Sequence, residues 1–235
     1  MITASKFVSE AYGLIGQPYL WGGNGETLAD IVSDYATKKE QSKSATDEMI
    51  QFLQRKTCVN FSDIHFQDCS GMIVEILRKN DCVSKTFDMT AEGLYKECKK
   101  IKTPCEGALA FYYDGKKHNH VGICHGGNIV VHCLSVKTGV IAEPIEKRKD
   151  KWVEFGLLNK YIEYDIDTIT TYKGVAVYRT ADEADKNDTT KSVTIYKPNT
   201  YYIYRTYGNC VNITKTLGVA GGWVRKDILT DAEEW

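Results

Sequence analysis

The chain has 235 residues, enough for one large domain or a medium domain with a small appendage, and its 43% hydrophobic and 26% charged residues match ordinary globular usage, excluding a disordered or fibrous protein. Its 30 basic and 31 acidic residues leave a formal net charge of -1, so there is no broad positive field to hold a nucleic acid. No apolar run is long enough to span a bilayer, the N-terminus lacks the basic start and apolar run of an export signal, and the 8 irregularly spaced cysteines read as reduced thiols.

Taken in chain order, Phe7, Val8, Ala11, Tyr12, Leu14 and Ile15 recur at helical spacing until Gly16 and Pro18 end the pattern. A polar segment over about 28–56 embeds Ile31, Tyr35, Met49, Ile50 and Leu53 and predicts one or two solvent-facing helices. The next helix is expected to start at or just before Cys69 and to run through Met72, Ile73, Ile76 and Leu77 to about Asn80. From Gly107 the period becomes that of strands, over 108–113, 121–124 and 129–134, with Asp114-Gly115 and Gly126-Gly127-Asn128 as turns of an antiparallel meander. Residues 143–150 are charged and read as loop, and 152–164 return to the body of the domain. The domain boundary is expected near 165–170, giving domains 1–165 and 166–235. The second is a series of short strands, predicting a small all-β barrel or sandwich, with 7 of the 15 tyrosines between Tyr172 and Tyr207 as either a binding face or ordinary core.

The chemistry concentrates at Asp68-Cys69-Ser70-Gly71. A cysteine at a helix start meets unpaired backbone N–H groups and the positive end of the helix dipole, both of which favour the nucleophilic thiolate. A base is available in His120, and His132 lies 12 residues on, across the Gly126-Gly127 turn, so a tight hairpin sets both imidazoles on one face. Two other readings stay open on these residues. His118, His120, His125 and His132 with Cys124 and Cys133 could hold zinc, and the fold could serve binding without catalysis.

These blocks resemble the NlpC-type family of cell-wall cysteine peptidases: Gly16-Gln17-Pro18-Tyr19-Leu20-Trp21-Gly22-Gly23, Asp68-Cys69-Ser70-Gly71, Gly107-Ala108-Leu109-Ala110-Phe111, His120-Val121-Gly122-Ile123 and Val131-His132. The resemblance implies an α+β fold, a papain-like catalytic domain with helices packed on an antiparallel sheet. It implies Cys69 as nucleophile, His120 as base and His132 as the orienting residue. Tyr19 resembles the family tyrosine that reaches the site, and Asp68 and Ser70 would receive the free amine of L-alanine, although both could instead cap the helix. No metal or other cofactor is called for. Two departures stand out: a helical insertion at about 24–67, and Ala108 where the family often has Asp. The end of the chain, with Gly221-Gly222-Trp223-Val224, resembles a bacterial SH3-like domain, which would bind the bacterial cell wall.

The implied activity is hydrolysis of peptidoglycan stem peptides between D-glutamate and the diamino acid. An amidase cut between N-acetylmuramic acid and L-alanine would use the same Cys-His pair, and a non-catalytic wall-binding protein is the remaining alternative. The expected setting is a phage or prophage lysin (endolysin), made in the bacterial cytoplasm without a signal peptide and reaching the wall after lysis, holin-type release or dedicated export.

Overall fold

Thr3 caps the first helix of the chain: its hydroxyl accepts from the backbone N–H of Lys6 at 3.3 Å, satisfying one orphan donor of the helix start. The structure is a computed structural model and describes residues 1–27, 30–31, 38–39, 43–55, 63–165, 167–217 and 219–230. It divides into two units, residues 1–100 with 104–164, and residues 101–103 with 165–235.

In the first unit, β1 (Ile2–Thr3) leads into α1 (Ala4–Gly13), which buries Ala4, Phe7, Val8 and Ala11 at helical spacing. Strand β2 (Asn24–Thr27) pairs with β3 (His65–Gln67). Between them lies α2 (Lys43–Gln54), within the expected insertion, where Met49 and Phe52 face inward and Ile50 is exposed. Tyr35 and Cys58, also in that insertion, fall outside the described residues. Helix α3 (Cys69–Lys79) packs Met72, Ile73, Ile76 and Leu77 into one core with Phe7, Val8 and Ala11, and α4 (Ala91–Glu97) adds Leu94.

Strands β4 (Lys99–Ile101), β5 (Leu109–Tyr113), β6 (His118–His125), β7 (Ile129–Ser135), β8 (Gly139–Pro144) and β9 (Trp152–Leu157) form one sheet in the order β4-β9-β5-β6-β7-β8. A short strand, β10 (Ile162–Glu163), pairs in parallel with β1. Strands β5 through β8 are antiparallel neighbours, as the meander predicts. Val121, Ile123, Val131 and Cys133 enter the core beneath α1 and α3, and the interleaved His120, Gly122, Val130 and His132 share the alternate face. One expectation is corrected: Glu143 is not in a loop but in β8, buried, with Ile145–Arg148 following as a 3-10 turn. Its strand pairs with β7, and that pairing outweighs the charged local composition.

The second unit has a four-stranded ladder, β11 (Thr168–Thr171), β14 (Asn199–Tyr207), β15 (Cys210–Thr214) and β16 (Gly222–Arg225), in that order, and a separate pair, β12 (Val175–Val177) with β13 (Thr194–Tyr196). Reciprocal backbone bonds of 2.9 Å between Tyr178 and Trp223 join the two. Among the described residues these ladders do not form the closed all-β barrel expected. The chain also spends α5 (Ala181–Lys186), under a capping box of Thr180 and Glu183, and α6 (Lys226–Thr230) on helix. The tyrosines divide: Tyr178 and Tyr201 are core, whereas Tyr172 and Tyr207 are exposed.

Candidate active site

Asp68 starts α3. Its Oδ1 accepts from the N–H of Ser70 at 3.0 Å, the Ser70 hydroxyl at 3.0 Å and the N–H of Gly71 at 2.7 Å, while Oδ2 takes the N–H of Gly22 at 2.9 Å. The capping alternative for Asp68 is therefore realised, and it ties the Gly22-Gly23 loop to the helix that carries Cys69. Gly71 is required there: a Cβ on it would lie 1.7 Å from the carbonyl oxygen of Gly23. The same Gly23 oxygen accepts from Asp68 N–H at 3.0 Å, so the loop and the first turn of α3 are locked together.

Cys69 is the first residue of α3 and 8% exposed. With Tyr19, Asp68 and Ser70 it borders a cleft of about 410 Å³ that is also lined by Asp88, Glu92 and Lys117. Burial pushes the Cys69 thiol up to about 12, and the Asp68 carboxylate adds to the rise, against the opposing pull of the N–H groups of Val121, Ser70 and Cys69 itself. Desolvation thus acts against the thiolate that the helix start favours. The bond from Val121 sets the thiol against β6, one residue after His120.

His120 and His132 meet through the sheet register. Ile123 pairs with Val131, so Gly122 stands across from His132 and His120 is its diagonal neighbour on the same face. Nε2 of His120 lies 2.8 Å from Nδ1 of His132. A side chain on Gly122 would reach within 2.9 Å of the His132 Cβ, so this glycine leaves room for the pair. Burial is the main cause holding both imidazoles below their ordinary value, His120 at about 3, with the charges of His132 and Arg148 adding to the effect, and His132 at about 4, with Glu143 opposing it. Both are neutral at pH 7.

Sequence reasoning missed what surrounds the pair. Tyr112 pairs with His120 on one side and Trp152 on the other, and their rings form a tilted stack, 4.7 Å from Tyr112 to His120 and 4.1 Å from Tyr112 to Trp152. The Trp152 ring also meets His132 edge-on at 5.1 Å. These contacts span four strands and leave no local sequence pattern. Of the remaining histidines, His118 lines the same cleft as Cys69 and lies between Glu92 at 2.7 Å and Glu154 at 3.2 Å, His125 bonds Tyr12 at 2.8 Å, and His65 lies 2.8 Å from Glu75. Among the described residues no group of three or more His, Cys, Asp or Glu is arranged to hold a metal ion.

The family model described as the NlpC/P60 family matches residues 16–154. A search of curated proteins finds no match. Among solved structures, the NlpC/p60 domain of the peptidoglycan hydrolase SagA is 18% identical, with a TM-score of 0.42 over 66% of this chain and 99% of that one. The peptidoglycan hydrolase RipB from Mycobacterium tuberculosis is 16% identical, with a TM-score of 0.44 over 66% of this chain and 64% of that one. A lipoprotein-like NLP/P60 protein from Staphylococcus aureus subsp. aureus Mu50 is 20% identical with a TM-score of 0.41, and the alignment covers 66% of this chain but 41% of that one. The family match covers more than half of the chain and includes Tyr19, the Asp68 cap, Cys69, His120 and His132; the chain belongs to the NlpC/P60 family.

Proposed function

We propose that this protein is a cysteine peptidase that hydrolyses peptidoglycan stem peptides, with Cys69 as nucleophile and His120 as base. The observation that carries the reading is the placement of the thiol at a helix start on an open cleft, bonded by the N–H next to His120, whose Nε2 is already engaged by His132. The ring nitrogen left for the thiol is Nδ1 of His120.

In this mechanism Sγ attacks the peptide carbonyl carbon as its proton passes to Nδ1 of His120. In this reading the N–H of Cys69, at the first turn of α3, stabilises the oxyanion. Collapse expels the amine, which takes the proton from Nδ1 and leaves a thioester. Water then attacks the thioester, gives its proton to the same nitrogen, and the departing thiolate recovers it. One water is consumed, and an acid and an amine are released.

The cleft chemistry supports a charged peptide as substrate: Asp68 and the acceptor lone pairs of Ser70 suit a free amine, and Lys117, which also lines the cleft, suits a carboxylate. We assign the cut to the bond between D-glutamate and the diamino acid. The test is mass spectrometry of products from a muramoyl tripeptide and from the free tripeptide L-Ala-D-Glu-diamino acid. Cleavage of the free tripeptide after D-glutamate supports the assignment; cleavage only between the muramoyl group and L-alanine makes the protein an amidase instead.

A further inference from the structure

Glu143 is 3% exposed on β8 and belongs to none of the roles above. His132 pairs with Ile141, so Glu143, two residues on, is its diagonal neighbour on the same face. Its Oε1 lies 3.1 Å from Nε2 of His132. The line His120, His132, Glu143 thus crosses three adjacent strands by two successive diagonals.

The polarity of this line follows from its end. An ionised carboxylate only accepts hydrogen bonds, so Nε2 of His132 carries a hydrogen. A neutral imidazole has one N–H, which leaves Nδ1 of His132 bare, and the 2.8 Å contact with Nε2 of His120 is then donated by His120. Nδ1 of His120 is left with a free lone pair, the state a base toward the thiol requires. We propose that Glu143 is a positioning residue that fixes the tautomers of both histidines and thereby keeps His120 competent as a base. The inference rests on the cysteine-peptidase reading for its consequence, though not for its geometry.

The charges around Glu143 support this role. Burial would raise its carboxyl, but bonds from Lys147 and Arg148, with the imidazole of His132, lower it overall. Lys147 Nζ lies 3.0 Å from Oε2 and Arg148 Nε bonds Oε1, both reaching back from the turn after β8. The titratable and charged groups facing Glu143 are therefore His132 on β7, Lys147 and Arg148 on that turn, and, through the pair, His120 on β6 and Tyr112 on β5. In Glu143→Gln the two cations draw the amide carbonyl toward themselves and turn its N–H groups on His132. The relay then runs backwards: His132 donates to His120, and the hydrogen of His120 moves to Nδ1, where it blocks the base.

Long-range 15N–1H NMR of the full chain labelled at histidine reads which ring nitrogen is protonated. In the wild type we expect both His120 and His132 as the Nε2–H form, and in Glu143→Gln loss of that form at both. With the tripeptide L-Ala-D-Glu-diamino acid as probe, kcat of the variant should fall at least about tenfold with KM within about twofold. The acid limb of kcat/KM should move to lower pH, because the cations are no longer balanced beside the pair. Glu143→Asp, which keeps the charge, should recover part of the loss. A wild-type His132 protonated on Nδ1, or a Glu143→Gln chain with unchanged tautomers, overturns the proposal whatever the rates show. Fixed tautomers lost in the variant, in a chain that cleaves no stem peptide, would uphold the role of Glu143 and sink the peptidase reading instead.

Discussion

Gly122 of β6 stands across from His132 of β7, and that absence of a side chain lets His132 lean diagonally to within 2.8 Å of Nε2 of His120. A Cβ on Gly122 would come 2.4 Å from Val130 Cγ1 and 2.9 Å from His132 Cβ. Gly122→Ala should therefore displace His132, lowering stability by roughly 1–3 kcal/mol for the overpacking and cutting kcat more than KM. Urea unfolding together with steady-state rates checks this; a folded Gly122→Ala protein with wild-type kcat would contradict the close approach.

Replacing His132 itself separates orientation from packing. Asn and Gln can accept from His120 through the carbonyl and donate to Glu143 through the amide, preserving the direction of the relay. His132→Asn or His132→Gln should thus keep more activity than His132→Ala, which should lose about 10- to 100-fold, while His120→Ala loses on the order of 10⁴-fold. Initial rates on one defined peptide, with folding followed by circular dichroism, give the comparison. Should folded His132→Ala cleave as fast as wild type, His132 is a structural residue.

Much of this site was legible in the sequence because its signals are local. Asp68 before an apolar run at helical spacing marks the start of α3, and Gly126-Gly127 between two strand-period runs sets His120 and His132 on one face. Glu143 was not legible, since a run of charges reads as loop and only pairing with β7 shows that it is strand. Nor was the burial that pushes the Cys69 thiol up, because helix-start effects can be read locally while burial depends on the whole fold. In the second unit the strands were visible, and α5 was missed although Thr180 and Glu183 have the spacing of a capping box.

The two buried imidazoles should also mark the pH dependence of stability. Their folded values, about 3 for His120 and about 4 for His132, lie below the ordinary 6.5. Below pH 6.5 the unfolded chain binds protons that the folded chain refuses, so this stability is fully present above that pH and is lost as the pH falls toward 4. Each histidine contributes a slope of about 1.4 kcal/mol per pH unit over that window. Urea unfolding of wild type and His120→Asn at several pH values should show a shallower slope in the variant. Identical slopes would mean that His120 is not held neutral by burial.

The second unit, which we propose binds the wall, should matter for insoluble substrate alone. A chain ending near residue 165 is expected to cleave the soluble tripeptide at a rate close to that of the full chain and to act more slowly on whole sacculi, because tethering raises the local substrate concentration. Turbidity clearance of sacculi beside tripeptide cleavage makes the comparison. Equal clearance by the two chains would reject the targeting role.

The central claim is that Cys69 attacks the stem peptide, and the most direct test is to trap the bond it forms. Acid quenching of the full chain within the first turnover on the tripeptide L-Ala-D-Glu-diamino acid, followed by peptide mapping by mass spectrometry, should find the L-Ala-D-Glu acyl group on the peptide containing Cys69. It should be absent from Cys69→Ser, and the diamino acid should be released in step with its formation. Cleavage by Cys69→Ala at the wild-type rate, or an acyl group carried by a different cysteine such as Cys124 or Cys133, would contradict the account.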